Sequence, residues 1–215
     1  MKRTGSLAAF LLMSAGLCGC GSDFTFRPDP LPPPARPPGD DAEVGQPPDW
    51  TSCAQGWRGV YSNLTIDHVD VLPRPIDAPA GTNPTALDWW DRQAYEKDDR
   101  TLDFGQNWWP VDEGLEGDPG YFAVYWHAWV RAVERTDFEF TLGSSDDSWV
   151  WVDGAPLAEK PGIQDFVRDT YSIELDAGQY PIEIWFAHRA SDSAGFSFRP
   201  LPNEEILLCY PDFET

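Results

Sequence analysis

The chain has 215 residues, 36 of them acidic and 15 basic, for a formal charge of −21 at neutral pH. So negative a balance makes nucleic acid and anionic lipid head groups poor partners. It leaves calcium and neutral ligands such as glycans compatible, and it also serves plain solubility.

The chain opens MKRTGSLAAFLLMSAGLCGC. Lys2 and Arg3 precede an apolar run from Leu7 to Leu17, which is too short to span a bilayer and reads as an export signal. Leu17-Cys18-Gly19-Cys20 resembles the bacterial lipobox, in which a small residue precedes the cysteine that is acylated and becomes the mature N-terminus. The expectation is a signal peptide over residues 1–19 and a lipid anchor at Cys20 as the membrane attachment. The alternative is an ordinary secretory signal with a coincidental cysteine. Gly21, in place of an aspartate after the anchor, resembles the pattern sorted to the outer membrane. The expected location is therefore the cell envelope, at the outer membrane of a Gram-negative bacterium.

Residues 20–49 contain DPLPPPARPPGDD and QPP. Almost nothing here has a side chain to bury, and proline rings favour extended polyproline II geometry, so the segment is predicted to be a disordered tether. At roughly 3 Å per residue it holds the rest of the chain several nanometres from the lipid. About 165 residues remain, enough for one domain over 50–215 with a real core and too few for two. Of the 4 cysteines, Cys18 and Cys20 are spent on export, leaving Cys53 and Cys209 at the ends of the domain. In an oxidising compartment the expectation is a disulfide. Closing about 155 residues removes on the order of 4–5 kcal/mol of chain entropy from the unfolded state. Two buried thiols, or half of a metal site, are the alternatives.

From Trp57 onward the pattern is short alternating apolar stretches rich in aromatics and valine, broken by Asp-Gly, Ala-Gly and proline. Strands are predicted over 59–66, 121–133, 137–142, 148–152, 171–175, 180–187, 196–199 and 206–210. Phe138, Phe140 and Leu142 share one face of their strand, as do Tyr180, Ile182, Ile184 and Phe186 of theirs. One buried face per strand predicts an all-β, antiparallel sandwich. Asp153-Gly154 after Trp-Val-Trp-Val predicts a tight hairpin turn with positive φ at both central positions. Residues 67–120 are of mixed polarity, with prolines, glycines and the pairs Trp89-Trp90 and Trp108-Trp109. They read as a long inter-strand insertion, folded over one end or face of the sandwich because the aromatics argue against disorder.

The order of features is Gly-Trp-Arg-Gly-Val-Tyr, then FAVYWHAWVRAVERTDFEFTLGSSDDSWVWVDGAPL, then YSIELDAGQYPIEIWFAHRASDSAGFSF. This resembles the β-sandwich domain named after the anthrax toxin protective antigen, with Asp146-Asp147, Asp153-Gly154 and Ala177-Gly178-Gln179-Tyr180-Pro181 in the family's order. The stretch Ile184-Trp185-Phe186-Ala187-His188-Arg189, followed by Ser193 and Phe196, is nearer the fibro-slime branch. The resemblance runs over roughly residues 53–210 and is strongest from Tyr121 to Phe198.

In lectin members of that family, notably flocculin-type adhesins, the adjacent aspartates bind calcium, and the metal chelates sugar hydroxyls. The resemblance therefore implies Ca²⁺ at Asp146 and Asp147, hard oxygen donors of the kind that ion takes. Where those lectins supply a further ligand, Asp192 stands here as a possible oxygen donor. Two other readings stay open: the aspartates cap backbone N–H groups of a polar hairpin loop, or Arg189 pairs with one of them in two-point contact and fills the loop without metal. The sequence holds 11 tryptophans, and this side chain stacks well on sugar rings. Trp126 and Trp185 read as core, Trp149 and Trp151 as the opposite face from Val150 and Val152. Trp89, Trp90, Trp108 and Trp109 are candidate ligand platforms or, alternatively, anchors fastening the insertion. With His68, His127 and His188 as the histidines, neither a nucleophile nor a zinc constellation is visible.

The expected function is a non-catalytic, surface-displayed binding module for a glycan or extracellular matrix polymer, with possible calcium dependence. A structural or adhesive fibro-slime-type protein that contacts other proteins without metal is the alternative. A polysaccharide hydrolase ranks below both.

Overall fold

The computed structural model describes residues 47–51, 55–71, 82–90, 94–110, 117–190 and 193–210. The signal peptide, Cys20, the tether as far as residue 46, Cys53 and Asp192 lie outside the described residues.

Eleven strands are described: β1 (Trp57–Leu64), β2 (Ala94–Asp99), β3 (Leu102–Gln106), β4 (Asp118–Ala132), β5 (Thr136–Ser144), β6 (Asp147–Val152), β7 (Ala155–Lys160), β8 (Val167–Leu175), β9 (Gly178–His188), β10 (Gly195–Pro200) and β11 (Ile206–Cys209). They form two antiparallel sheets. One runs β2-β1-β4-β9-β6-β7, with β11 also on β4; the other runs β3-β10-β5-β8. At 15 residues β4 is long enough to share one edge between two partners. β1 pairs with it from His127 back to Asp118, and β11 from Ala132 to Trp129. Cys209, which closes β11, is disulfide-bonded.

Alternation builds the core between the sheets. Phe122, Val124, Trp126, Ala128 and Val130 of β4 point inward with Ile182, Ile184 and Phe186 of β9, and meet Phe138, Phe140 and Leu142 of β5 and Phe196 and Phe198 of β10. Each fully buried large apolar side chain contributes roughly 1.5–3 kcal/mol relative to exposure. Asp153 and Gly154 both have positive φ, 52° and 73°, so the turn after β6 has the conformation expected of Asp-Gly.

The insertion corrects the sequence reading. It is not only a loop: β2 joins the larger sheet beside β1, and β3 joins the smaller one beside β10. Between β1 and β2 the described residues include two single 3-10 turns, Pro84–Ala86 and Asp88–Trp90, on the outer face of the larger sheet. There Val71 and Trp89 meet Leu64, Tyr121, Ala123, Trp149, Trp185 and Ala187 in a second apolar cluster. Trp149 and Trp151 thus leave the core face to Val150 and Val152; Trp149 packs against Trp89, and Trp151 is half-buried against Trp185. Trp185, expected in the core, belongs to the same outer cluster.

Candidate functional site

Asp146 and Asp147 lie at the start of β6, fully buried with the serines around them. The loop is tied down on both sides. Ser145 exchanges hydrogen bonds with Gly195, accepting its N–H at 2.8 Å and donating its own backbone N–H to the Gly195 carbonyl at 3.0 Å. The Gln164 N–H reaches the Ser145 carbonyl at 2.9 Å, and Ser144 Oγ donates to the Asp146 carbonyl at 2.6 Å.

β9 runs beside β6 with Asp147 opposite Ala187, so the next two residues, His188 and Arg189, arrive at the aspartates. His188 Nδ1 is 2.6 Å from Asp146 Oδ2. Arg189 Nε donates to Asp147 Oδ2 at 2.7 Å, with Nη2 at 2.6 Å from the same oxygen. The Gly162 N–H donates to Asp147 Oδ1 at 2.6 Å. Burial pushes both carboxyls above their ordinary range, against the pull of His188 on Asp146 and of Arg189 and the Gly162 N–H on Asp147.

The partners face different surroundings. The His188 ring lies against Phe122 of the core and edge-on to Trp109, 5.0 Å away. The Arg189 guanidinium lies 4.9 Å over the ring of Trp89 in the outer cluster, and its Nη1 donates to the Asp70 carbonyl at 2.8 Å. Calcium takes six to eight oxygens. Three of the four oxygens of this carboxylate pair are engaged by the protein's own groups, and Asp146 Oδ1 is the buried one without a hydrogen-bond partner. As arranged, the donor set fits a guanidinium and an imidazole better than a calcium ion.

The four candidate tryptophans separate. Trp89 is 1% exposed and donates to Asp70 Oδ2 at 2.8 Å; Trp90 donates to the Pro84 carbonyl at 2.8 Å. Trp108 stacks on Phe104 at 4.1 Å and packs against the main core. All three are held by the fold, Trp89 buried and Trp90 and Trp108 half-buried. Trp109 is the exposed member, at 44%.

A further group of possible metal donors, His68, Asp70 and Asp88, brings its atoms within 4.8 Å of one another. His68 Nδ1 accepts the Asp70 N–H at 3.2 Å, which leaves the ring proton on Nε2, facing Asp88 at 3.2 Å.

Sequence reasoning named the Asp pair, left the pairing of Arg189 open as one of three readings, and missed His188 as the partner of Asp146. The available signal was the order of residues: His-Arg ends one long strand and Asp-Asp begins another, and an antiparallel pairing brings the two dipeptides together.

No family model and no curated protein matches the sequence. Solved structures share its fold. The PA14 sugar-binding domain from an RTX adhesin is 18% identical, with 73% of this chain and 96% of that one covered at a TM-score of 0.51. The A domain of Epithelial Adhesin 9 from Candida glabrata, in complex with Galb1-4GlcNAc, is 12% identical, with 79% and 95% covered and a TM-score of 0.51. An anti-sigma factor domain-containing protein is 19% identical at 0.51, with 75% of this chain covered but only 50% of that one. These likenesses define the class of fold: an antiparallel β-sandwich of the PA14, or protective-antigen, type, as the sequence motifs implied.

Proposed function

We propose that this chain is a non-catalytic glycan-binding module, displayed outside the cytoplasm on a lipid at Cys20 and a proline-rich tether. The observation that carries the reading is Trp109: an exposed indole standing edge-on to a buried imidazole that a carboxylate holds in place. A large aromatic with one open side, fixed on a rigid support, is suited to stacking on the apolar face of a sugar ring, because little side-chain freedom is left to lose on binding. The sugar-binding and adhesin domains that share the fold support the same class of ligand.

The test is a glycan array probed with the full chain beside Trp109→Ala. Binding that is lost in the variant at an unchanged melting temperature supports the reading. An array blank for both, or equal binding by both, removes Trp109 as the platform. The second reading, a structural protein that contacts other proteins, draws on Ile66 and Val69. They lie in two successive turns after β1, 63% and 67% exposed. Ile66→Asp with Val69→Asp separates the two readings, since it disrupts protein contacts and leaves glycan binding intact.

A further inference from the structure

We infer that Arg189 is this chain's built-in substitute for a divalent cation at the Asp146-Asp147 loop, so that the loop is set in its working shape without metal. The inference concerns the loop itself and stands whether or not the ligand is a glycan.

Charge comes first. Arg189 and Asp147 are both 0% exposed at their side chains. A charge so far from water persists only when paired and hydrogen-bonded, and among the described residues Asp147 is the one carboxylate within ion-pair range of Arg189. A metal ion taking Asp147 would leave the guanidinium buried beside a second positive centre. For the two not to coexist, the arginine would have to be expelled from its seat over Trp89.

Geometry is the second point. The guanidinium donates in two directions in one plane, from Nε to Asp147 Oδ2 and from Nη1 to the Asp70 carbonyl, while Nη2 lies in ion-pair contact with the same Asp147 oxygen. Its flat face is covered by Trp89. Planar donation in two directions with an aromatic below is what arginine does and a spherical ion does not. One side chain therefore joins three places far apart in the chain: β6, the segment after β1 and the 3-10 turn holding Trp89. Had a metal filled this position, the segment after β1 would need some other fastening to the loop.

The third point is what the other carboxylate is given. Asp146 meets an imidazole at 2.6 Å, so each carboxylate has a protein partner of its own, and the two do not converge on a shared empty centre.

The experiment uses the full chain, with terbium luminescence sensitised by its tryptophans as the metal probe and melting temperature in EDTA and in millimolar calcium as the second readout. The native chain is expected to give no saturable terbium signal beyond that of Asp146→Asn, and melts that agree within about 1 °C, against the several degrees a tightly bound ion adds. Arg189→Gln, which frees Asp147 of its ion-pair partner, is expected to melt lower, to bind terbium saturably in competition with calcium, and to regain part of the loss when calcium is added. Arg189→Lys keeps the positive charge and is expected to remain blind to metal. Saturable terbium binding by the native chain that Asp146→Asn abolishes overturns the inference. So does an Arg189→Gln protein that folds and ignores terbium. If Arg189→Gln does not fold, the native chain decides alone: a melt raised by calcium refutes the substitution, and one indifferent to it supports the substitution.

Discussion

Trp89 is the floor on which Arg189 rests: the guanidinium carbon stands 4.9 Å from the centre of the indole ring, and both residues are sealed from solvent. Removing the floor should therefore cost more than removing an ordinary surface anchor. Trp89→Ala is expected to lower stability by about 3–5 kcal/mol, the range for deleting a buried aromatic. Trp89→Phe keeps a ring under Arg189 but loses the N–H given to Asp70, a loss of about 1–2 kcal/mol. Denaturant midpoints of the two variants check the ordering. Equal losses would show that the indole N–H, not the ring, is what counts.

Two glycines should fail for different reasons. A Cβ on Gly59 would lie 2.8 Å from Trp126 Nε1 and 2.7 Å from the Tyr61 ring, both rigid parts of the core. Overpacking of this kind costs about 1–3 kcal/mol. Gly154 has nothing within 4 Å of such an atom, and its φ is +73°, so Gly154→Ala costs only backbone strain, about 1 kcal/mol. Thermal melts should rank Gly59→Ala below Gly154→Ala, and Gly154→Asn, which tolerates positive φ, should recover most of the second loss.

Asp99 carries a buried network. Its Oδ2 accepts from the Tyr61 hydroxyl and, at 2.9 Å, from Trp126 Nε1, while Lys97 lies 3.2 Å from Oδ1. Burial, followed by the nearby Asp99 charge, pushes the Tyr61 phenol far above its ordinary value. The unfolded chain loses that proton near pH 10 and the folded one keeps it. The folded state then binds more protons, so stability from this group is complete below about pH 10 and falls as pH rises beyond it. Tyr61→Phe should flatten the alkaline decline while lowering stability at neutral pH by about 1–2 kcal/mol. Unfolding followed at pH 8 and pH 11 checks both effects.

His127 predicts the acid side. Burial first, then the charge of Arg58, lowers its pKa. Below about pH 6.5 the unfolded chain takes up a proton that the folded one refuses, so stability falls as pH drops through that value. His127→Gln should lose less stability than the native chain between pH 7.5 and pH 5, and parallel declines would show that other groups dominate.

The sandwich was legible because its long strands carry a strict alternation that only a two-sheet core satisfies. Phe138, Phe140 and Leu142 could not all be buried in any other conformation. The strands missed were of another kind. β2 reads Ala-Tyr-Glu-Lys-Asp-Asp, and its charges suit the edge of a sheet, where side chains meet water and discourage pairing with other chains. β3 carries Gly105 at positive φ and a register shift against β10, so its alternation is broken where a pattern search needs it whole. β7 begins Ala-Pro, which reads as turn more than strand. At the site, the family resemblance pointed to the carboxylates, and the sequence left Arg189 open as a partner for one of them. That His188 and Arg189 arrive at these carboxylates follows from the pairing of β6 with β9, which no local pattern contains. The crowd of tryptophans could not be sorted either, since Trp108 and Trp109 differ in nothing but which side of the chain they leave.

β1 begins opposite His127 of β4, and β11 ends opposite Trp129. The first and last strands thus lie nearly end to end along one edge of the same neighbour, like a single strand cut in the middle. The far end of β1, at Asn63, pairs with Phe122, which in turn pairs with His188 beside Trp109. A pull between Trp57 and a partner gripping Trp109 therefore runs along the β1–β4 ladder and loads its rungs side by side. In that direction the hydrogen bonds of the ladder share the load.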